Sequence, residues 1–339
     1  MESSDGSANY HDEIYSVFYN CMKYIPFVTF PIYAETIYCI IKRRAQLQQH
    51  YRTILTAHVL GSLYEEWYGF ELFRPMVFTP VVGIYADGIL SMIGVHPFVQ
   101  LYGMFLAVQM NSSILTHITL HRMKTIIPIS YRYYSCFIRS GVFFTFFIYV
   151  WCALSVNCIF LTVEDQLEAK TFISMTVRPI PNVFWSEKYI VSSPRNRNIF
   201  IFLICATVCI GFYVFLCITI PSICFVILHR TRHSLSRTVI KAQRAYLRSL
   251  LLQAIIVIAC VIIPFSVFLA GMTNAITNPI IIPSYLIFSI CNGSASTLIH
   301  LLFNKPFRGI MKTQLSWIAC LLTCSRPEPK VHHLSSILA

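Results

Sequence analysis

From Ser249 to Asn304 the chain contains no Asp, Glu, Lys or Arg. A polar, proline-containing break around Thr273–Pro283 divides this stretch into two runs. Each is long enough to cross a bilayer, whose hydrocarbon core takes about 20 helical residues. Residues 140–163 and 198–228 are equally free of charge, and so is 88–121, with its best window at 98–120. Two earlier runs are less pure: 17–41 holds Lys23 and Glu35, and 53–73 holds Glu65, Glu66 and Glu71. The count is seven spans, near 17–41, 53–73, 98–120, 140–163, 198–228, 249–272 and 283–303. Barrel-type alternation is absent, and hydrocarbon otherwise admits only helices. The expectation is an all-α membrane protein, a seven-transmembrane helix bundle. Only 12% of the 339 residues are charged, about half the share of a soluble chain.

Orientation follows from Lys and Arg near the span ends. Residues 42–52, 122–139, the loop from Arg230 to Arg248 and the tail from 305 hold 19 of the 26 basic residues, with Glu328 as their single acid. Threading seven helices puts all four on one side. The amino-terminal tail, 1–16, has four acids and no base. It is therefore expected outside, with the carboxyl terminus in the cytoplasm and the first span serving as insertion signal in place of a cleaved one. The basic loop marks topology. A nucleic-acid interface needs a soluble basic face with interleaved stacking residues, and here only Tyr246 is interleaved. The outer loop 164–197 contains no Cys, so the disulfide that ties this loop to the third helix in many seven-helix receptors cannot form. Asn111-Ser-Ser and Asn292-Gly-Ser fall inside spans, out of reach of glycosylation, and read as chance matches.

The stretch "ILTAHVLGSLYEEWYGFELFRPMVFTPVVGIYADGIL" carries Leu55, His58, Glu65, Pro75, Pro80, Val82-Gly83-Ile84-Tyr85 and Gly88. It resembles the second span and following loop of nematode serpentine chemoreceptors of class H. "VHPFVQLYGMFLAVQMNSSILTHITLHRMKTI" resembles that family's third span, and "NKPFR" its exit from the seventh. The likeness runs from about residue 20 to about 312. It implies a plasma-membrane receptor of a chemosensory neuron, placed in its cilium, that couples a small or volatile ligand to a heterotrimeric G protein. No cofactor or enzyme activity is implied. Where the family usually places an acid before the Arg that ends span three, this chain has His121-Arg122.

Glu65 and Glu66 lie about 18 Å into span two, from helical rise. Ionisable groups at such depth usually face a cavity or a partner. Either glutamate touches ligand, or one is protonated or hydrogen-bonded in the bundle while the other nears a water-filled vestibule; being adjacent, they point about 100° apart and cannot share one small pocket well. Arg122 at the mouth of span three, with Arg237, Lys241 and Arg244 in the basic loop, form the candidate G-protein-coupling set. Pro264 within span six removes a backbone hydrogen bond, which gives either a hinge for activation or a static kink. The tail repeats Phe307, Ile310, Met311, Leu315, Ile318 and Leu322 at helical steps, suiting an interfacial helix. Cys320 and Cys324 near its end are either palmitoylation sites or plain cytosolic thiols.

Other classes fit less well. An odorant-gated channel of the insect type would be inverted relative to the counted topology. His117 and His121, four apart, have a spacing that suits zinc, but a seven-helix zinc hydrolase also needs a general base and an open metal position. An opsin needs a lysine in span seven, and 283–303 has none.

Overall fold

The computed structural model describes residues 5–316 except 46, 79–82, 128–131, 177–179, 181, 194, 232–235, 273–277, 279, 305, 306 and 315. Cys320 and Cys324 lie outside the described residues. Seven principal helices form the bundle. They are α1 (Asp5–Lys42), α2 (Gln49–Trp67), α3 (Pro97–Ile126), α4 (Tyr134–Asn157) and α5 (Asn198–Thr231), followed by α6 and α7. Helix α6 runs Arg237–Val257, widens into a π-helical turn at Ile258–Ile262 and ends as Ile263–Met272. Helix α7 comes in two halves, Ile281–Ile290 and Asn292–Phe303, bent by 44°. Among the described residues five helices are long and apolar enough to cross a membrane, and α7 makes six when its halves count as one span. Helix α2 carries Arg52, Glu65 and Glu66 and owes its place to what those side chains meet.

Packing closes the ring. Helix α3 runs through the middle against α2, α4 and α5; α6 lies against α5 and α7; α7 returns to α1 and α2. The large faces left outward, such as Phe143, Phe146, Phe200, Ile204 and Phe215, are what a bundle immersed in lipid presents.

At one end the bundle carries a small antiparallel sheet, which an all-α reading does not contain. Strand β1 (Pro75–Phe78) pairs with β2 (Gly83–Ala86), and β2 pairs with β3 (Tyr189–Val191) from the loop between α4 and α5. Val77 faces Ile84, which in turn faces Ile190. Gly83 is required by close approach, since a Cβ there would run into the Tyr189 ring. Gln166 closes the free edge of β3, its amide accepting from Val191 N at 2.9 Å and donating to Val191 O at 3.1 Å. Tyr189, Phe184, Met76, Ala169 and Ile173 form a core of their own, on the face of the sheet opposite to Val77, Ile84 and Ile190. The ladder thus ties the 164–197 loop to the α2–α3 connection by backbone hydrogen bonds.

The opposite end gathers the basic loops. There a helical segment at 307–314 docks Phe307 and Ile310, both buried, against Cys39, Ile40, Ile54 and Leu55. Gln314 donates to Glu35 on α1 at 3.1 Å. The first part of the tail's apolar stripe therefore packs on α1 and α2 themselves.

Candidate functional site

The adjacent glutamates of α2 point to different helices. Glu65 is 2% exposed and Glu66 fully buried. Glu65 accepts from Asn111 Nδ2 on α3 at 2.6 Å. The other end of the same amide, Asn111 Oδ1, accepts from His58 Nδ1 at 2.9 Å and from Ser62 Oγ at 3.2 Å. A carbonyl oxygen only accepts, so His58 carries its proton on Nδ1. Its Nε2 is then free to accept from Ser296 Oγ of α7, 3.0 Å away. One imidazole and one amide thereby join α2, α3 and α7.

Glu66 solves a different problem. Helix α7 breaks at Cys291, and the half that begins at Asn292 starts with backbone N–H groups that have no partner within the helix. Glu66 Oε1 accepts from Ser294 N at 2.8 Å, placing a carboxylate where the helix dipole favours negative charge. The contact is close: a Cβ on Gly293 would lie 2.8 Å from Ser62 Cβ and 3.0 Å from the Tyr33 hydroxyl. Deeper towards the basic end, Gln253 Nε2 on α6 donates to His300 Nε2 at 2.6 Å, and the His300 ring stands edge-on to His58 at 5.5 Å.

Above this polar core, beneath the sheet, lies a cavity of about 340 Å³. Its roof is Val77, Ile84, Ile190 and Val191; its walls include Phe105, Val108, Phe202, Phe265 and Phe268. Its floor holds Asn111 and Asn292, with Gln109, Ser112, Tyr213, Tyr285 and Ser289 as further polar groups. No Asp, Glu, Lys or Arg lines it among the described residues. Neither Glu65 nor Glu66 reaches it; both stand behind the floor, Glu65 holding Asn111 and Glu66 holding the turn that begins at Asn292. Two floor and wall acceptors, Gln109 Oε1 and Asn292 Oδ1, are buried with no hydrogen-bond partner, and Asn292 is 7% exposed. Asn111 and Asn292 are the residues that sequence reasoning passed over. The available signal was an amide inside an otherwise apolar span, which needs a partner or a ligand.

Pro264 also lines the cavity. Its missing N–H and its ring's clash with the carbonyl four residues earlier explain the widened turn at Ile258–Ile262 just before it. The coupling set splits in two. Arg122, 5% exposed, is inside the bundle and bonds the hydroxyl of Tyr51 on α2, with its guanidinium 5.2 Å from that ring's centre. The His121 ring also stacks with Tyr51, 6.0 Å away and 13° from parallel. Arg237, Lys241 and Arg244 are exposed on α6, away from Arg122. His50 meets both His117 and His121 in edge contacts at 5.8 and 4.9 Å. No group of three His, Cys, Asp or Glu among the described residues is set to hold a metal.

The profile of the serpentine-type seven-transmembrane GPCR chemoreceptor family Srh matches residues 14–316. No curated protein sequence matches the chain. Among solved structures, squid rhodopsin aligns over 93% of this chain and 89% of its own, at 13% identity and a TM-score of 0.46.

The knot yields a graded expectation. Asn111→Leu removes the partner of Glu65 and of His58 Nδ1 in the interior, at about 1–3 kcal/mol for each lost partner, and should lower the amount and thermal stability of folded protein. Glu65→Gln keeps an acceptor facing Asn111 Nδ2 and should remain near wild type. Fluorescence-detected size-exclusion after heating measures both.

Proposed function

The chain belongs to the Srh family of serpentine seven-transmembrane GPCR chemoreceptors, and on that premise we propose that it binds a small, uncharged, largely apolar molecule beneath the sheet and signals through a heterotrimeric G protein at its basic end. The observation that carries this reading is the lining of the cavity. Its volume lies within the range of small-molecule sites, and it offers aromatic and aliphatic walls with no charge to pair an ion. An unpaired ion moved there from water would lose several kcal/mol of hydration. A ligand hydroxyl or N–H placed against Gln109 Oε1 or Asn292 Oδ1 would gain about 1 kcal/mol per bond. Glu65 and Glu66 then act as positioning residues behind the floor, and the ligand meets the amides they hold. The receptor sits in the plasma membrane, in a sensory cilium, with its acidic amino terminus outside and its basic loops in the cytoplasm.

Expression in a reporter cell, screened with uncharged and cationic odorants side by side, identifies an agonist and tests the site. Ser112→Phe fills part of the cavity and should weaken that agonist by at least about tenfold, since overpacking a filled site costs roughly 1–3 kcal/mol. Surface amounts should hold. Glu65→Gln should shift the curve little; a large shift, together with selection of cationic agonists, would return the glutamates to direct ligand contact and remove the reading.

Orientation has its own check. An epitope at the amino terminus should stain intact cells, and one after Ala339 only permeabilised cells. The reverse pattern would exclude G-protein coupling through the basic loops.

The Arg122 arrangement predicts the resting signal. Tyr51 meets Arg122 through a neutral hydroxyl and a ring face, and contacts of that kind are worth less than a bidentate ion pair with a carboxylate. Tyr51→Phe should therefore raise ligand-independent G-protein activation, His121→Glu should lower it, and Arg122→Ala should abolish coupling. Nucleotide exchange in membranes with matched receptor amounts is the measurement. A silent wild type that neither Tyr51→Phe nor His121→Glu alters would show that this contact does not restrain the receptor.

A further inference from the structure

At the basic end, α6 and α7 border a second cleft, of about 670 Å³. Arg237, Lys241, Arg244, Arg248 and Arg308 line it, with Phe303 among the apolar remainder, and no acid does among the described residues. The positions on α6 carry the argument. Arg237, Lys241, Arg244 and Arg248 are spaced four, three and four apart, and the same rhythm continues to Leu251 and Ile255. That is one face of a helix. All six side chains are exposed, whereas Leu247, Leu250 and Ala254, on the opposite face, are buried in the bundle. The basic stripe therefore lies on the exposed side of α6 and runs directly into an exposed apolar stripe, the kind of surface a membrane helix presents to lipid. Helical rise places Leu251 about 4.5 Å beyond Arg248, so charge gives way to apolar surface within one helical turn. On α7, Leu298, Leu302 and Phe303 are exposed beside it.

We propose that this cleft is a binding site for the multiply phosphorylated headgroup of an anionic membrane lipid, whose chains lie along Leu251 and Ile255. Four guanidinium groups and one ammonium are more charge than a monovalent headgroup neutralises, and arginine forks match phosphate oxygens in pairs. A basic cluster at the end of a membrane helix gains from anionic headgroups within a Debye length. An acidic segment of a partner protein would satisfy the charge as well. It gives no reason for the apolar continuation of the same stripe at membrane depth. Which leaflet supplies the lipid rests on the orientation proposed above; the site itself does not.

The test uses the full-length protein in nanodiscs, where both leaflets are accessible, so a wrong orientation cannot hide the result. The discs contain phosphatidylcholine with a minor fraction of fluorescent phosphatidylinositol bisphosphate, or phosphatidylserine at equal total charge. Energy transfer from a dye on the receptor reports enrichment. The expected result is preference for the bisphosphate, weakening with salt. It should fall by at least about tenfold in Lys241→Gln/Arg244→Gln/Arg248→Gln, since each basic residue near an anionic surface contributes about a fivefold factor. Arg244→Lys/Arg248→Lys should restore most of it, which separates lost charge from lost folding. Equal enrichment of the two lipids, or undiminished binding in a triple variant of wild-type thermal stability, would overturn the site. So would a triple variant that keeps the lipid and loses only nucleotide exchange, because the cleft would then be a protein-coupling surface.

Discussion

A carboxyl group inside hydrocarbon has no water to turn to, and two of them side by side on α2 must each find protein. Their 100° separation on the helix sends Glu65 to the Asn111 amide of α3 and Glu66 to the Ser294 N–H of α7. That division places three helices relative to one another. It also accounts for the break in α7. Free N–H groups at a new helix start are costly in an apolar interior, and a carboxylate already aimed there removes the cost. Gly293 lets the backbones approach closely enough for the bond to form. The floor of the cavity is the other face of this arrangement, because Asn111 and Asn292 belong to it.

Irregular backbone recurs where the bundle meets the cavity or the sheet. The π-helical turn at Tyr68–Phe73 ends at Arg74, whose φ of 44° is the left-handed one among non-glycine residues described. Arg74 is held there by Phe70 O, Glu71 and the Tyr19 hydroxyl, turning the chain out of α2 into β1. The turn before Pro264 does similar service in α6. Non-helical backbone at membrane depth is stable only where protein or a cavity surrounds it, and these breaks satisfy that condition.

The spans are legible in the sequence because a charge-free run of membrane length suits little besides a bilayer. Gly83 and Gly88 stand out in a motif, but the sheet that needs Gly83 does not: four- and three-residue strands drawn from two distant loops leave no periodicity to read. The glutamates are legible as important and their partners are not, since partners depend on which helices touch. Arg237, Lys241 and Arg244 read as loop charge. Helix α6 begins at Arg237, however, and the four-three spacing through Leu251 and Ile255 is present in the sequence for a reader who lets the helix start early. Phe307, Ile310 and Met311 keep their helical spacing but spend it on α1 and α2, a choice that hydrophobic pattern alone cannot make between protein and lipid.

On the proposed reading a signal has to travel from the cavity floor to the basic end, and the polar core offers a continuous route. Asn111 lines the cavity and bonds His58; His58 bonds Ser296 and stands against His300; His300 bonds Gln253 on α6. Spatial continuity alone does not establish coupling, which needs an element with two discrete arrangements. Here the candidates are specific. The Asn111 carbonyl already accepts twice, from His58 and Ser62, so a ligand donor that takes it must displace one of them, while the second N–H of its NH₂ can meet a ligand acceptor with Glu65 still bound. His58 has two tautomers, and because a carbonyl cannot donate, the second is reached only if the Asn111 amide turns over and presents its NH₂ to Nδ1. Each change rewrites bonds to helices that end beside Arg122 or begin at Arg237. An apolar core would transmit only displacement, whereas this one can also transmit the direction of a hydrogen bond.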